Sequence, residues 1–238
     1  MSEHNMILDC SVLDHGYVRH VESWGGGDAG NGTDNECGIV EAARQSTQGT
    51  FRGWEEDERL LKHLYDKKHS TPFEFAGMTI EVQAPILVFR EWHRHRTQSY
   101  NEMSARYEPL PDLNYIPSVA RLMRDGGKNK QAQAIKGAEP LTEQNALGFQ
   151  VMLENHYRAC QRDYDIALNG GIPKECARIL LPVGRYSRMR ATANLRNWLA
   201  FLTLRMDPDA QWEIQQYAQT VARIIYDQFP RTYSLYAA

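Results

Sequence analysis

The sequence predicts an α+β fold, a small sheet packed by several helices in a single domain over residues 1–238. Three observations lead there. Segments with helical spacing of apolar residues outnumber those with strand alternation. The strand-like segments are separated irregularly, unlike the regular β-α-β succession of a wound parallel sheet. A chain of 238 residues, 42% hydrophobic and 24% charged, has an ordinary globular balance and enough length to bury a core without disulfide or metal staples.

In chain order, Ile7 to Val21 reads as a strand and turn. Gly25-Gly26-Gly27-Asp28-Ala29-Gly30-Asn31-Gly32 contains G-x-G-x-x-G, but Asn31 to Asn35 prolong the loop where a dinucleotide fingerprint would open a helix at once. That stretch reads as a mobile surface loop. Cys37 to Gln48 is an Ala-rich helix with Asp34 or Asn35 as cap. Glu55 to His69 is amphipathic, with Leu60, Leu61, Leu64 and Tyr65 on one face, and Ser70-Thr71-Pro72 stops it. Met78, Ile80, Val82 and Ala84 alternate with Thr79, Glu81 and Gln83 as in a half-buried strand. Pro85 suits the first turn of a helix from Ile86 to about Arg94.

Pro109, Pro111 and Pro117 make residues 108–118 an extended connection. Residues 124–140 fit a weak helix or an exposed loop, and no domain boundary is placed there. Leu141 to Leu168 is a long helix stopped by Gly170-Gly171. Pro173 opens a helix to about Leu181, and Arg185 to Ala193 fits a strand. Asn194 to Met206 is helical until Asp207-Pro208. Asp209 to Gln228 is the last helix, with Ile214, Tyr217, Ala218, Val221, Ile224 and Ile225 facing the core.

Several function classes are disfavoured. No apolar run approaches the roughly 20 residues of a membrane span, and Met1 to Asn5 lack the basic-then-apolar layout of a secretory signal. Cys10, Cys37, Cys160 and Cys176 lie far apart without C-x-x-C, which suggests neither disulfides nor zinc. A cytoplasmic protein away from membranes is expected. The net charge of −3 argues against a general nucleic-acid binder.

Two segments concentrate chemistry. Between Cys176 and Met206 there is no acidic residue but there are six arginines: Arg178, Arg185, Arg188, Arg190, Arg196 and Arg205. A solvated face would mix signs and use Lys freely; planar guanidinium forks suit phosphate and carboxylate oxygens. An anion-binding surface is the favoured reading. The second segment, Arg90 to Tyr107, packs cations, imidazoles, hydroxyls and carboxylates together with few aliphatic side chains. Such groups need partners among themselves or on a ligand. His93-x-His95 lacks a third ligand at recognisable spacing, and neighbouring arginines repel a dication, so no metal is expected. No motif surrounds any cysteine to make it a nucleophile.

Arg94-His95-Arg96-Thr97-Gln98-Ser99-Tyr100-Asn101-Glu102-Met103-Ser104-Ala105-Arg106-Tyr107 matches R-H-R-x-x-S-x-N-E-x-S-x-R-Y without a gap. The pattern resembles the signature of the flavin-dependent thymidylate synthases. His69-x-Thr71-Pro72-Phe73-Glu74, the Arg178 helix, Asn194-x-Arg196, Leu204-Arg205 and Gln211-Trp212-Glu213-Ile214 look like further family segments in family order. The glycine loop and residues 124–140 lie outside the resemblance.

The resemblance implies an enzyme converting dUMP to dTMP, with methylenetetrahydrofolate as carbon donor and NADPH-reduced FAD as hydride source. It also implies a homotetramer whose sites are shared between subunits. Carried over residue by residue, Thr71, Arg94, His95, Arg96, Glu102, Asn194 and Arg196 would contact FAD, with His69 close by. Arg94, Ser104, Arg106 and Arg178 would hold dUMP, with backbone help from Met103 and Ala105, and Arg205 would sit at the pyrimidine and favour its ionised form. Glu91 stands where family members often have Gln; a carboxylate cannot donate an amide's hydrogen bonds, which leaves backbone contact with dUMP. Ala200 falls where a polar residue often holds flavin.

A guanidinium beside uracil stabilises negative charge developing on the ring, an electrostatic form of catalysis that needs no activated cysteine, while the redox step belongs to the flavin. Two rivals remain. A flavin-assisted pyrimidine nucleotide modifier with another product, such as a hydroxymethylated base, needs the same contacts. A nucleic-acid-binding module using the arginine stripe would be colourless and bind oligonucleotides with steep salt dependence.

Overall fold

The computed structural model describes residues 9–27, 34–127 and 129–238. One sheet contains β1 (Asp9–Val12), β2 (Gly16–Trp24), β3 (Gly77–Pro85), β4 (Ser99–Glu102) and β5 (Tyr186–Asn194). Its order is β1-β2-β3-β5-β4, with each neighbouring pair antiparallel. The helices are α1 (Cys37–Arg44), α2 (Trp54–Asp66), α3 (Ile86–Trp92), α4 (Val119–Leu122), α5 (Glu143–Asn169), α6 (Lys174–Ala177), α7 (Leu195–Arg205), α8 (Trp212–Gln228) and α9 (Pro230–Ala237). The class is α+β, as expected. No helix among the described residues is long and apolar enough to cross a membrane.

The core lies where the apolar face of the sheet meets α3, α7 and α8. Val18, Ile80, Val82, Met189 and Ala191 pack with Trp92, Trp198, Phe201 and the apolar stripe of α8. Trp92 and Phe201 approach to 4.6 Å between ring centres. Two of the buried rings with a polar handle find a backbone acceptor. The Trp198 indole N–H donates to the Met78 carbonyl at 3.0 Å, and the Tyr217 hydroxyl to the Gln83 carbonyl at 2.9 Å. Gly77 opens β3 because a Cβ there would overlap the Trp24 indole and the Ala193 carbonyl.

Several elements depart from the sequence expectations. β3 is covered on both faces rather than half-buried, with Thr79 and Glu81 nearly inaccessible. The cause is cross-strand pairing: Arg19 of β2 and Arg190 of β5 are the direct partners of Glu81, and Tyr17 donates to its carboxylate at 2.8 Å. β4 was not anticipated; four polar residues become a strand only because β5 pairs with them. α2 ends at Asp66, since Lys68 adopts φ 58° and turns the chain into Ser70. α3 stops at Trp92, two residues early.

Only Lys174–Ala177 of the 173–181 helix is α-helical, followed by a single tight turn. α8 starts at Trp212 because the Gln215 amide is committed to the carbonyls of Asp207, Pro208 and Ala210, which hold the preceding loop. α9 is a further addition: its first N–H groups, from Arg231 and Thr232, donate to the buried Glu36 carboxylate. The described residues of 124–140 form a largely exposed loop with one short turn at Lys130–Ala132. Ile7, Leu8 and positions 28–33 of the glycine loop lie outside the described residues; Gly25 accepts from Gly38 N at 2.6 Å.

Candidate active site

The β4–β5 ladder joins the two chemically dense segments. Ser99 faces Thr192 and Asn101 faces Arg190, and beyond the ladder Met103 N donates to the Arg188 carbonyl at 2.8 Å. Residues about ninety positions apart are thereby fixed side by side.

At the end of α7, Arg205 reaches the end of α3. Its Nε donates to His95 Nε2 at 2.8 Å, one terminal nitrogen to Glu91 Oε2 at 2.9 Å, and the other to the Glu91 carbonyl at 2.7 Å. A guanidinium carries five N–H donors, so one on each terminal nitrogen remains for a ligand. The Arg205 side chain is 14% exposed and the Glu91 side chain 40%. Burial and the adjacent Arg205 charge push the His95 imidazole down to about 4, with Glu91 opposing. His95 is therefore neutral at physiological pH, with Nε2 as acceptor and the proton on Nδ1. Phe201 packs edge-on against its ring at 4.9 Å. Glu91 and Arg205 line a cavity of about 410 Å³ whose other walls come from Arg121, residues 124–126, Asn129, Gln131 and Ala132, the 208–211 loop and the start of α8.

A second group lies across α7. Asn194 caps that helix by accepting from Asn197 N at 3.0 Å, which places Arg196 on its first turn. Arg196 pairs with Glu74 in the turn that also holds Thr71. His69, Ser70 and Arg196 rim a groove of about 850 Å³ with a largely apolar floor that includes Phe73, Leu199 and Leu202. Ala200 lines the same groove. Tyr65, Lys68 and Tyr236 complete its walls and were not anticipated from sequence. Lys68 adjoins the Thr71-Pro72 motif and was within reach of that signal, whereas Tyr236 arrives from the far end of the chain.

A third group follows β4. Glu102 and Met103 are half-buried, Ser104 Oγ accepts from Arg106 N at 3.3 Å, and Ala105 is buried. Arg106 pairs with Glu175 at 3.2 Å, and Arg178 lies three residues further on with an exposed side chain. Because Met103 N is committed to Arg188, its backbone carbonyl is the part left for a ligand. Arg94 and Arg96 stand exposed between α3 and β4, and neither guanidinium has a partner among the described residues.

The six arginines after Cys176 do not form one cationic surface. Arg185 is completely buried, donating to the Pro111 carbonyl at 2.9 Å, Asp112 at 2.8 Å and Gln161 at 2.7 Å. Arg190 leans on Glu81, and Arg188 bears on the same carboxylate. Arg196 and Arg205 line two different cavities, and Arg178 is exposed in the third group.

Comparison with known proteins places the chain in one family. The family model described as thymidylate synthase complementing protein matches residues 31–231. A flavin-dependent thymidylate synthase of Thermosipho africanus is 37% identical over 230 residues, 96% of this chain and 94% of that protein. One of Thermus thermophilus is 36% identical over 96% of this chain and 78% of its own. Among solved structures, the UMP/dUMP methylase PolB of Streptomyces cacaoi, bound with 5-Br dUMP, superposes with a TM-score of 0.79 at 30% identity. That superposition covers 95% of this chain and 97% of the methylase.

Proposed function

Since the chain belongs to the family of the flavin-dependent thymidylate synthases, we propose that it methylates dUMP to dTMP, using FAD, NADPH and methylenetetrahydrofolate. The observation that carries this is the clamped Arg205: a guanidinium with three donors held by its own chain and two left over, on a residue that lines a cavity.

The residues present fit a flavin nucleotide. The groove beside Arg196 has an apolar floor for a planar ring and a polar rim for its edge. Arg94 and Arg96 lack partners among the described residues, as guanidinium forks do when a pyrophosphate is to supply them. His69, Thr71, His95, Glu102 and Asn194 complete the set assigned to this cofactor. When bound, FAD would supply the hydride received from NADPH, while methylenetetrahydrofolate supplies the carbon.

The chain's own groups supply orientation and electrostatics. Arg106, Arg178, Ser104 and Arg94 hold the nucleotide phosphate, with the Ala105 N–H as a further donor and the Met103 carbonyl as acceptor. Glu91 offers its carboxylate and backbone rather than an amide. Arg205 faces the pyrimidine edge, so negative charge gathering on the ring as C5 attacks is met by a fixed cation in a partly dry site. His95, neutral and accepting from Arg205 Nε, keeps that fork from rotating.

Assembly into a homotetramer completes the proposal. Of the 27 residues of α5 only Ala146 and Tyr164 are buried, while Leu147, Val151 and Met152 are about half exposed. An apolar helix face of this kind is expected to be covered by another subunit. The three groups of site residues, dispersed within one chain, would then be completed across subunits.

The test is direct. Purified protein should be yellow, with a flavin absorbance band. Incubated with dUMP, NADPH and methylenetetrahydrofolate, it should yield a product with the mass of dTMP. A hydroxymethylated product would replace this reading with the neighbouring activity, and a colourless protein binding oligonucleotides would end it.

A further inference from the structure

We infer that Glu91 is a positioning and tuning residue: its carboxylate and its own carbonyl fix the Arg205 fork, and its charge offsets that of Arg205, weakening the site's hold on an ionised pyrimidine. The inference rests on the proposed function and deepens it, because it concerns the same site.

The contacts separate two effects of one residue. The Glu91 carbonyl holds one terminal nitrogen of Arg205 at 2.7 Å, and any amino acid at position 91 retains it. The carboxylate holds the other at 2.9 Å, which a Gln side-chain oxygen reproduces without the charge. Since His95 Nε2 is an acceptor on neutral imidazole, it contributes no cation to restore the balance. The other charged side chains lining the cavity are Arg121 and Arg124, with Asp125 and Asp209. Arg121 is already engaged by Glu213 at 2.7 Å. The Glu91 carboxylate is thus the nearest negative charge to the cation that faces the ring.

A ring losing its N3 proton beside Arg205 gains from the guanidinium and loses to the carboxylate one hydrogen bond away. Removing that charge while preserving the hydrogen bond should favour the ionised ring. The Glu91→Gln enzyme would therefore bind dUMP more tightly and release the product nucleotide more slowly.

The experiment uses the flavin-loaded protein with 5-fluoro-dUMP, whose fluorine-19 resonance reports N3 ionisation without interference from flavin absorbance. In Glu91→Gln the bound ring should lose its proton about one pH unit lower than in wild type, and dUMP should bind roughly tenfold more tightly by calorimetry. Glu91→Asp, which keeps the charge with a shorter reach, should stay near the wild-type ionisation but lower kcat. Glu91→Ser provides the same loss of charge in another shape should the Gln variant not fold. If wild type binds and turns over dUMP while both neutral variants leave ionisation and affinity within twofold, the tuning role is overturned and the function stands. If wild type binds no uridine nucleotide, both fail together.

Discussion

Arg205 shows how one side chain is made into a tool by its neighbours. A free guanidinium rotates and is hydrated; here His95 and Glu91 remove those freedoms and leave two donors unused on a residue that lines a cavity. Arg205→Ala should lower kcat for dTMP formation by about 10²–10³, the scale of deleting one preorganised donor, while the flavin band persists. Flavin lost in parallel with activity would place Arg205 in the cofactor site instead. His95 makes a separate prediction. Its ring is held down to about 4 in the fold but titrates near 6.5 when unfolded. As pH falls from 6.5 toward 4, unfolded chains take up a proton that the folded ring refuses, so stability is lost in that window and present above it. The melting temperature of wild type should fall more steeply there than that of His95→Gln, whose side-chain oxygen can still accept from Arg205. Superimposable curves would contradict the assignment. Cys37 is no rival nucleophile, since burial and then Asp34 push its thiol up to about 11.

Elements position the site through pairings that local sequence does not advertise. Alternating apolar residues made β3 legible, whereas β4 consists of Ser99-Tyr100-Asn101-Glu102 and owes its strand conformation to β5. The arginine-rich stretch was recognisable as unusual, but its residues serve different ends. Arg185 braces the 108–118 connection against α5 through Pro111, Asp112 and Gln161. Arg185→Met should cost about 1–3 kcal/mol, because the Pro111 carbonyl and the Gln161 side chain lose a charged donor. The urea midpoint of the flavin-loaded protein measures this, and an unchanged midpoint would show the brace to be dispensable. In contrast to that structural role, Arg196 is exposed on the groove rim; composition and charge do not distinguish the two, and in the sequence only the Asn194-x-Arg196 segment sets Arg196 apart.

For the whole molecule, the question is what covers α5. Leu147 and Val151 lie one turn apart on an exposed face. The double variant Leu147→Asp, Val151→Asp should reduce the oligomer measured by light scattering and lower flavin occupancy with it. An unchanged mass would mean that assembly uses another face. The sequence by itself determined the class, the helices with strong apolar period such as α8, and the R-H-R-x-x-S-x-N-E-x-S-x-R-Y signature with the family it announces, because period and signature are local properties. Only the tertiary structure decided that β4 is a strand, that Arg185 is buried while Arg205 faces a cavity, that Tyr236 walls the groove, and that Glu91 holds Arg205. Those outcomes depend on contacts between residues distant in the chain, and burial, charge pairing and the fate of a guanidinium are fixed by which partners arrive, not by the residues on either side.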